Sequence, residues 1–201
     1  MRVARTDTAK GYPASVVTRL SFRAVALACL LAAHSVGAQT VYVASPLGFA
    51  ESTRGFMNDV LIPAIAKSGV TPINPWAPNP RIDAQIQAVQ AFSDLPSRRE
   101  AWTRLIDDIG GTNAKSIQRA DGVVAVLDGV DVDSGTAAEL GYAAALGKWI
   151  VGYRGDFRRT GDDETATVNL QVEYFIRRSG GVIVRSLAEL DHELRRRARA
   201  R

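Results

Sequence analysis

The stretch that decides the fold runs from Gly122 to Tyr153. It opens with G-V-V-A-V-L (Gly122 to Leu127), almost wholly apolar and rich in β-branched residues, which reads as a strand buried on both faces. A polar loop, D-G-V-D-V-D-S (Asp128 to Ser134), follows it. The next segment, G-T-A-A-E-L-G-Y-A-A-A-L (Gly135 to Leu146), reads as a helix closed by Gly147. W-I-V-G-Y (Trp149 to Tyr153) is a second buried strand. Strand, helix and strand in that order form a parallel unit whose sheet must be covered on both sides.

The same alternation extends in both directions. Upstream, Val41 to Ala44 reads as a strand, and Ser45 to Gly55 as a loop of small residues. Helical spacing over residues 54–67 (Phe56, Val60, Leu61, Ile65) stops at Gly69, and Pro63 within it marks a kink. Val70 to Ile73 is a second strand, whereas N-P-W-A-P-N-P (Asn74 to Pro80) is irregular, because three prolines cannot pair in a sheet. Residues 81–93 and 97–118 are helical, with a break at Pro96 and an interruption at Gly110-Gly111. Downstream, Arg154 to Thr167 reads as a solvated charged loop and Asn169 to Arg178 as a short helix. Gly181 to Val184 is the last strand, and a helix follows from Leu187. The expectation is an α/β fold: a flavodoxin-like doubly wound five-stranded parallel sheet with helices on both faces. Ligands of such sheets sit beyond the carboxyl ends of the strands, which singles out the loops after Ala44, Leu127 and Tyr153.

Composition narrows the chemistry. The chain has 201 residues, 46% hydrophobic and 23% charged, values that suit one globular domain. Residues 1–38 stand apart, with Arg19 and Arg23 before the apolar run Ala24 to Ala33 and the small residues Val36-Gly37-Ala38 after it. That is the pattern of a secretory signal peptide, too short for a bilayer-spanning helix. The expected organisation is a leader over 1–38 and a domain over 39–201. The protein is then periplasmic or secreted, with no stable membrane insertion after leader removal; a later start would leave it cytoplasmic. Five of the 25 basic and one of the 21 acidic residues lie in 1–38, leaving 20 of each in the domain. Five of those basic residues are Arg195, Arg196, Arg197, Arg199 and Arg201, so the body is mildly acidic and no nucleic-acid partner is expected. Cys29 and His34 lie in the leader, and His192 is the only histidine left. Disulfides, thiol catalysis, Ser-His-Asp triads and Cys- or His-built metal sites are thereby excluded from the domain. No glycine-rich dinucleotide or Walker loop occurs. Neither cofactor nor metal is expected.

Chemistry must then rest on carboxylates, hydroxyls and amides, and these crowd one place. Asp128, Asp131 and Asp133 share the loop that leads into the helix carrying Glu139. Near a helix N-terminus the backbone dipole favours an ionised carboxylate. The neighbouring Gly135, Ala137, Ala138 and Gly141 leave room for a substrate ring. Plainer readings compete. Thr136-Ala-Ala-Glu139 fits a capping box, Asp133 or Ser134 fits a simple N-cap, and the three aspartates are a conceivable Mg²⁺ or Ca²⁺ site. Trp76, in its proline-rich loop, is the leading candidate to stack on a planar ring, ahead of Phe49 and Trp102. Ser45, at a strand end, either binds substrate or caps a turn.

At these residues the chain resembles the nucleoside 2-deoxyribosyltransferase family. The matching block runs from Ala120 to Arg154 and contains D-S-G-T-A-A-E-L-G-Y-A and A-L-G-K. V-Y-V-A-S-P-L-G-F near the start and Asn169-Leu170-Gln171 near the end match more weakly, Gln171 replacing a frequent methionine. The resemblance implies transfer of a 2-deoxyribosyl group between nucleobases through a covalent glutamyl-sugar intermediate. Glu139 would be the nucleophile, Tyr42 would orient it, and Asp133 would help protonate the departing base. Asn113 falls where relatives touch the base. Asn169 would bind the sugar's 5′-hydroxyl in a neighbouring subunit's site, implying a homo-oligomer with shared sites. Asp128, Ser45 and Trp76 complete the expected substrate-binding set. The partners expected are a nucleoside and a free nucleobase. The alternatives are a nucleoside or nucleoside-monophosphate N-glycoside hydrolase of the same fold, and a secreted nucleoside-binding module without turnover.

Overall fold

A computed structural model describes residues 38–200. The leader read in residues 1–38, with Cys29 and His34, thus lies outside the described residues except for Ala38. Five strands form one sheet: β1 (Thr40–Ala44), β2 (Thr71–Ile73), β3 (Gly122–Val126), β4 (Trp149–Tyr153) and β5 (Val182–Val184). Their order is β2-β1-β3-β4-β5 and every pairing is parallel. The helices are α1 (Glu51–Phe56), α2 (Ile62–Lys67), α3 (Pro80–Gln90), α4 (Leu95–Arg119), α5 (Ser134–Ala145), α6 (Leu170–Arg178) and α7 (Leu187–Ala198). A π turn, Met57–Leu61, joins α1 to α2.

Alternation along the strands builds two cores. Tyr42, Ala44, Val123, Ala125 and Ile150 face Ile117 of α4, Leu140 of α5 and Ile176 of α6. Val41, Val43, Val124, Val126 and Val151 face Leu61, Ile65 of α2, and Leu190 and Leu194 of α7. Both faces are thus covered, which is why the strands read as continuous apolar runs. Register is set by the same pattern, with Tyr42 beside Val123 and Ala44 beside Ala125. A one-residue slip would exchange the faces and turn Tyr42 away from α5.

The helices depart from the sequence reading at Pro96 and at the pair Gly110-Gly111. Pro63 does not break its helix. It lacks the N–H that a regular turn would use, and the ladder just before it widens so that the Ile62 N–H reaches the Met57 carbonyl. Pro96 begins a helix rather than interrupting one: it sits in the first turn of α4, where no N–H is needed, behind an Asp94 cap whose side chain accepts from the Ser97 N–H at 2.8 Å. Gly110-Gly111 is helical throughout, so α4 runs unbroken for 25 residues.

The segment after β4 is a second correction. Arg154, read as part of a solvated loop, is completely buried. Its guanidinium donates to the Leu127 and Gly129 carbonyls after β3 and to the Arg158 carbonyl after β4. The rest of the loop is tied down as well. Asp128 accepts from the Asp156 N–H at 2.8 Å, and Glu173 accepts from the Thr167 and Val168 N–H groups. No helix among the described residues is long and apolar enough to cross a membrane.

Candidate active site

The site forms at the carboxyl end of β1 and β3, where the strand order reverses. Tyr42 is brought there by β1 with its ring fully buried. Its hydroxyl donates to Glu139 Oε1 at 2.6 Å, a bond across 97 positions of sequence. Asn113, on α4, approaches the same oxygen, its Nδ2 donating at 3.4 Å. Glu139 therefore receives two hydrogen bonds from two other elements. It lines a cavity of about 390 Å³ together with Ser45, Phe49, Trp76, Asn113 and Asp133.

These contacts decide between the readings of the α5 N-terminus. Asp133 is the cap: its carboxylate accepts from the Thr136 N–H at 2.8 Å and the Thr136 hydroxyl at 3.1 Å. Glu139 forms no capping box; its side chain is turned to Tyr42 and Asn113. Asp133 nonetheless lines the cavity, so one carboxylate both ends the helix and faces the site.

Electrostatics also differ from the sequence reading. Glu139 is the sixth residue of α5, beyond the first turn where the helix dipole acts. Burial pushes its pKa up, the Tyr42 bond pulls it down, and the negative charge of Asp133 pushes it up again. The net shift is upward. Tyr42 is raised far above the ordinary phenol value, first by burial and then by its bond to Glu139 and the carboxylate's charge. Its hydroxyl stays protonated at any working pH and is a fixed donor.

The aromatic wall has its own construction. The Trp76 Nε1–H donates to the Ser45 carbonyl at 2.8 Å. Phe49 meets the Trp76 ring edge-on, with centroids 4.4 Å apart, and is 70% exposed. Gly48 lies against the indole so closely that a Cβ there would come within 2.0 Å of it. Only glycine lets the β1 loop pass over Trp76. The Ser45 hydroxyl accepts from the Leu47 N–H at 3.1 Å, as a turn cap does.

Two expected residues are not in this cavity. Asp128 is turned to the Asp156 N–H and lies beside Tyr153, whose pKa rises through burial and then through the Asp128 charge. Asn169 caps α6, accepting from the Gln171 N–H at 3.0 Å. Asp131 likewise accepts from its neighbour Val132. The three aspartates do not converge, and among the described residues no cluster of His, Cys, Asp and Glu has the geometry of a metal site. Sequence reading passed over Ile109, Pro75 and Thr136, which also line the cavity. Ile109 stands one helical turn before Asn113 on α4, a spacing that places it on the same face.

The family model described as nucleoside 2-deoxyribosyltransferase matches residues 41–172. No curated protein matches the chain. Among solved structures, a conserved protein from Enterococcus faecalis V583 is 23% identical, covers 80% of this chain and 99% of its own, and superposes with a TM-score of 0.57. A 2-desoxiribosyltransferase from Leishmania mexicana is 23% identical over 67% of this chain and 85% of its own, with a TM-score of 0.46. A CMP N-glycosidase from Clostridium botulinum is 18% identical over 78% and 98%, with a TM-score of 0.44.

Proposed function

The chain belongs to the nucleoside 2-deoxyribosyltransferase family and is an enzyme of that kind, and from that premise we propose that it exchanges the base of a 2′-deoxynucleoside through a covalent intermediate on Glu139. The observation that carries the reading is the Tyr42–Glu139–Asn113 arrangement on the cavity wall, with Asp133 beside it. One Glu139 oxygen takes both hydrogen bonds, which leaves Oε2 as the oxygen that attacks C1′. As the C1′–N bond breaks, its electron pair passes to the base. A proton passed from water by way of Asp133, which faces the cavity, neutralises that base. The incoming base then attacks C1′ and releases the Glu139 carboxylate, its own ring N–H proton leaving to water by the same route past Asp133. Two carboxyl groups in these roles give net retention at C1′.

Tyr42 serves as the orienting donor. Its bond favours the ionised Glu139, so Tyr42→Phe raises the glutamate's pKa further. The acid limb of kcat/KM should move to higher pH, and the plateau should fall about 10- to 100-fold, the worth of a hydrogen bond to a charged group. A pH–rate profile with an unmoved acid limb refutes this role.

The decisive assay incubates the protein with deoxyinosine, with and without adenine. Deoxyadenosine formed only when adenine is present supports transfer. Hypoxanthine released without adenine supports the hydrolase, in which water takes the place of the incoming base. The exposure of Phe49 at the cavity wall favours keeping that second reading. We extend the proposal to a homo-oligomer in which Asn169 serves a neighbour's site. It predicts a sedimenting species larger than a monomer and activity lost in Asn169→Ala. A periplasmic or secreted location rests on the leader pattern of residues 1–38. A mature N-terminus at Gln39 in the exported protein tests it.

A further inference from the structure

Beside the cavity at Glu139 lies a second one of about 340 Å³. The two share Pro75, Trp76, Ile109 and Asn113. The wall of the second chamber is completed by Ile82 and Ile86 of α3 and by Ala77 and Pro78 of the loop before it, with the polar Asn79, Arg81, Asp83 and Thr112 between them. Each cavity alone is at the small end of the range for ligand sites, about 300–1,000 Å³; together they sit well inside it.

The lining orients a substrate. Asp133, Gly135, Thr136 and Glu139 all come from the segment after β3, and they hold the polar groups that the sugar and the bond to be broken require. Phe49, Pro75, Trp76 and Ile109 form the apolar remainder, against which a planar base gains stacking and burial. Three of those four belong to the boundary with the second chamber or adjoin it through Asn113. With C1′ at Glu139 and the base against that apolar wall, the base borders the second chamber.

The geometry points to a subsite for an apolar substituent on the nucleobase, so that the substrate class is a nucleoside whose base carries a hydrophobic group of about benzyl size on the edge away from the glycosidic bond. The inference rests on the glycosidic reading of Glu139. Ile82, Ile86 and Trp76 supply the apolar contact, while Arg81 and Asp83 border the chamber at exposed positions.

Steady-state kinetics test it with two substrate pairs: 2′-deoxyadenosine against its N6-benzyl derivative, and 2′-deoxyuridine against a 5-phenethyl derivative. In at least one pair the substituted nucleoside should have kcat/KM about tenfold higher or more, the discrimination usual for apolar groups in a fitted pocket. Ile86→Trp fills the chamber from α3, and Ala77→Trp fills it from an exposed loop position where folding is insensitive to size. Both variants should reduce that ratio to about one or below. A wild-type ratio near one in both pairs, or a ratio that neither variant changes, overturns the subsite while leaving the glycosidic reading in place. Failure of the wild-type protein to cleave any of the four overturns both.

Discussion

Glu139→Gln is expected to lose base exchange by about 10⁴-fold or more, the scale seen when a covalent nucleophile is removed, and yet to melt at a higher temperature than the wild-type protein at pH 7. The second effect follows from linkage. Burial raises the Glu139 pKa in the folded state above its unfolded value. A carboxyl shifted that way favours folding fully only below the unfolded pKa, and that contribution is lost as the pH rises through the folded pKa. At neutral pH the wild-type protein holds a charge that its surroundings disfavour, whereas glutamine holds none and still accepts the Tyr42 hydrogen bond. The gap in Tm between variant and wild type should therefore be small at pH 4 and wide at pH 7. Thermal melts at the two pH values check this, and a gap independent of pH would remove the electrostatic explanation. The same burial that costs stability sustains the strength of the Tyr42 bond in a site shielded from water.

Arg154→Met should destabilise the domain by about 3–5 kcal/mol, near the largest effect of any single substitution. The side chain is wholly buried, and its donors serve carbonyls of both the β3 and β4 loops. Methionine fills much of the volume but leaves those carbonyls without partners, each loss costing about 1–3 kcal/mol. For a domain of this size Tm should fall by roughly 10 °C. Arg154→Lys should recover little, because one ammonium cannot span acceptors on two loops as the planar guanidinium does. Denaturant unfolding of the three proteins distinguishes this from a cavity effect: if lysine and methionine differ from each other as much as methionine differs from wild type, charge rather than the fork of donors is what matters. Since the β3 loop leads directly to Asp133 and Glu139, the clamp also holds the site's own approach in place.

How much of this was legible in the sequence depends on how local each feature is. Strands β1, β3 and β4 are visible because short apolar runs rich in β-branched residues suit strands buried on both faces of a parallel sheet. The caps were less plain: Asp133 shared that reading with Ser134, and Asp94 and Ser186 were passed over, although each of the three bonds an N–H three residues on. The helix starting at Leu95 was obscured by Pro96, since proline both ends helices and begins them, and only the cap at Asp94 distinguishes the two. Among the candidate residues, Tyr42, Asp133, Asn113, Trp76 and Ser45 do share a region with Glu139, whereas Asp128 and Asn169 bond elsewhere in the chain.

The sequence by itself determined the βαβ alternation, the parallel sheet and the dense carboxylate loop before α5, because each depends on the chemistry of neighbouring residues. It did not determine that Glu139 is largely shielded from water and raised in pKa, that Arg154 is an interior clamp, or that a second chamber adjoins the first. Those depend on which faces and loops meet across 27 to 97 positions of chain. A charge looks alike in any sequence window, and only folding decides whether water or protein surrounds it.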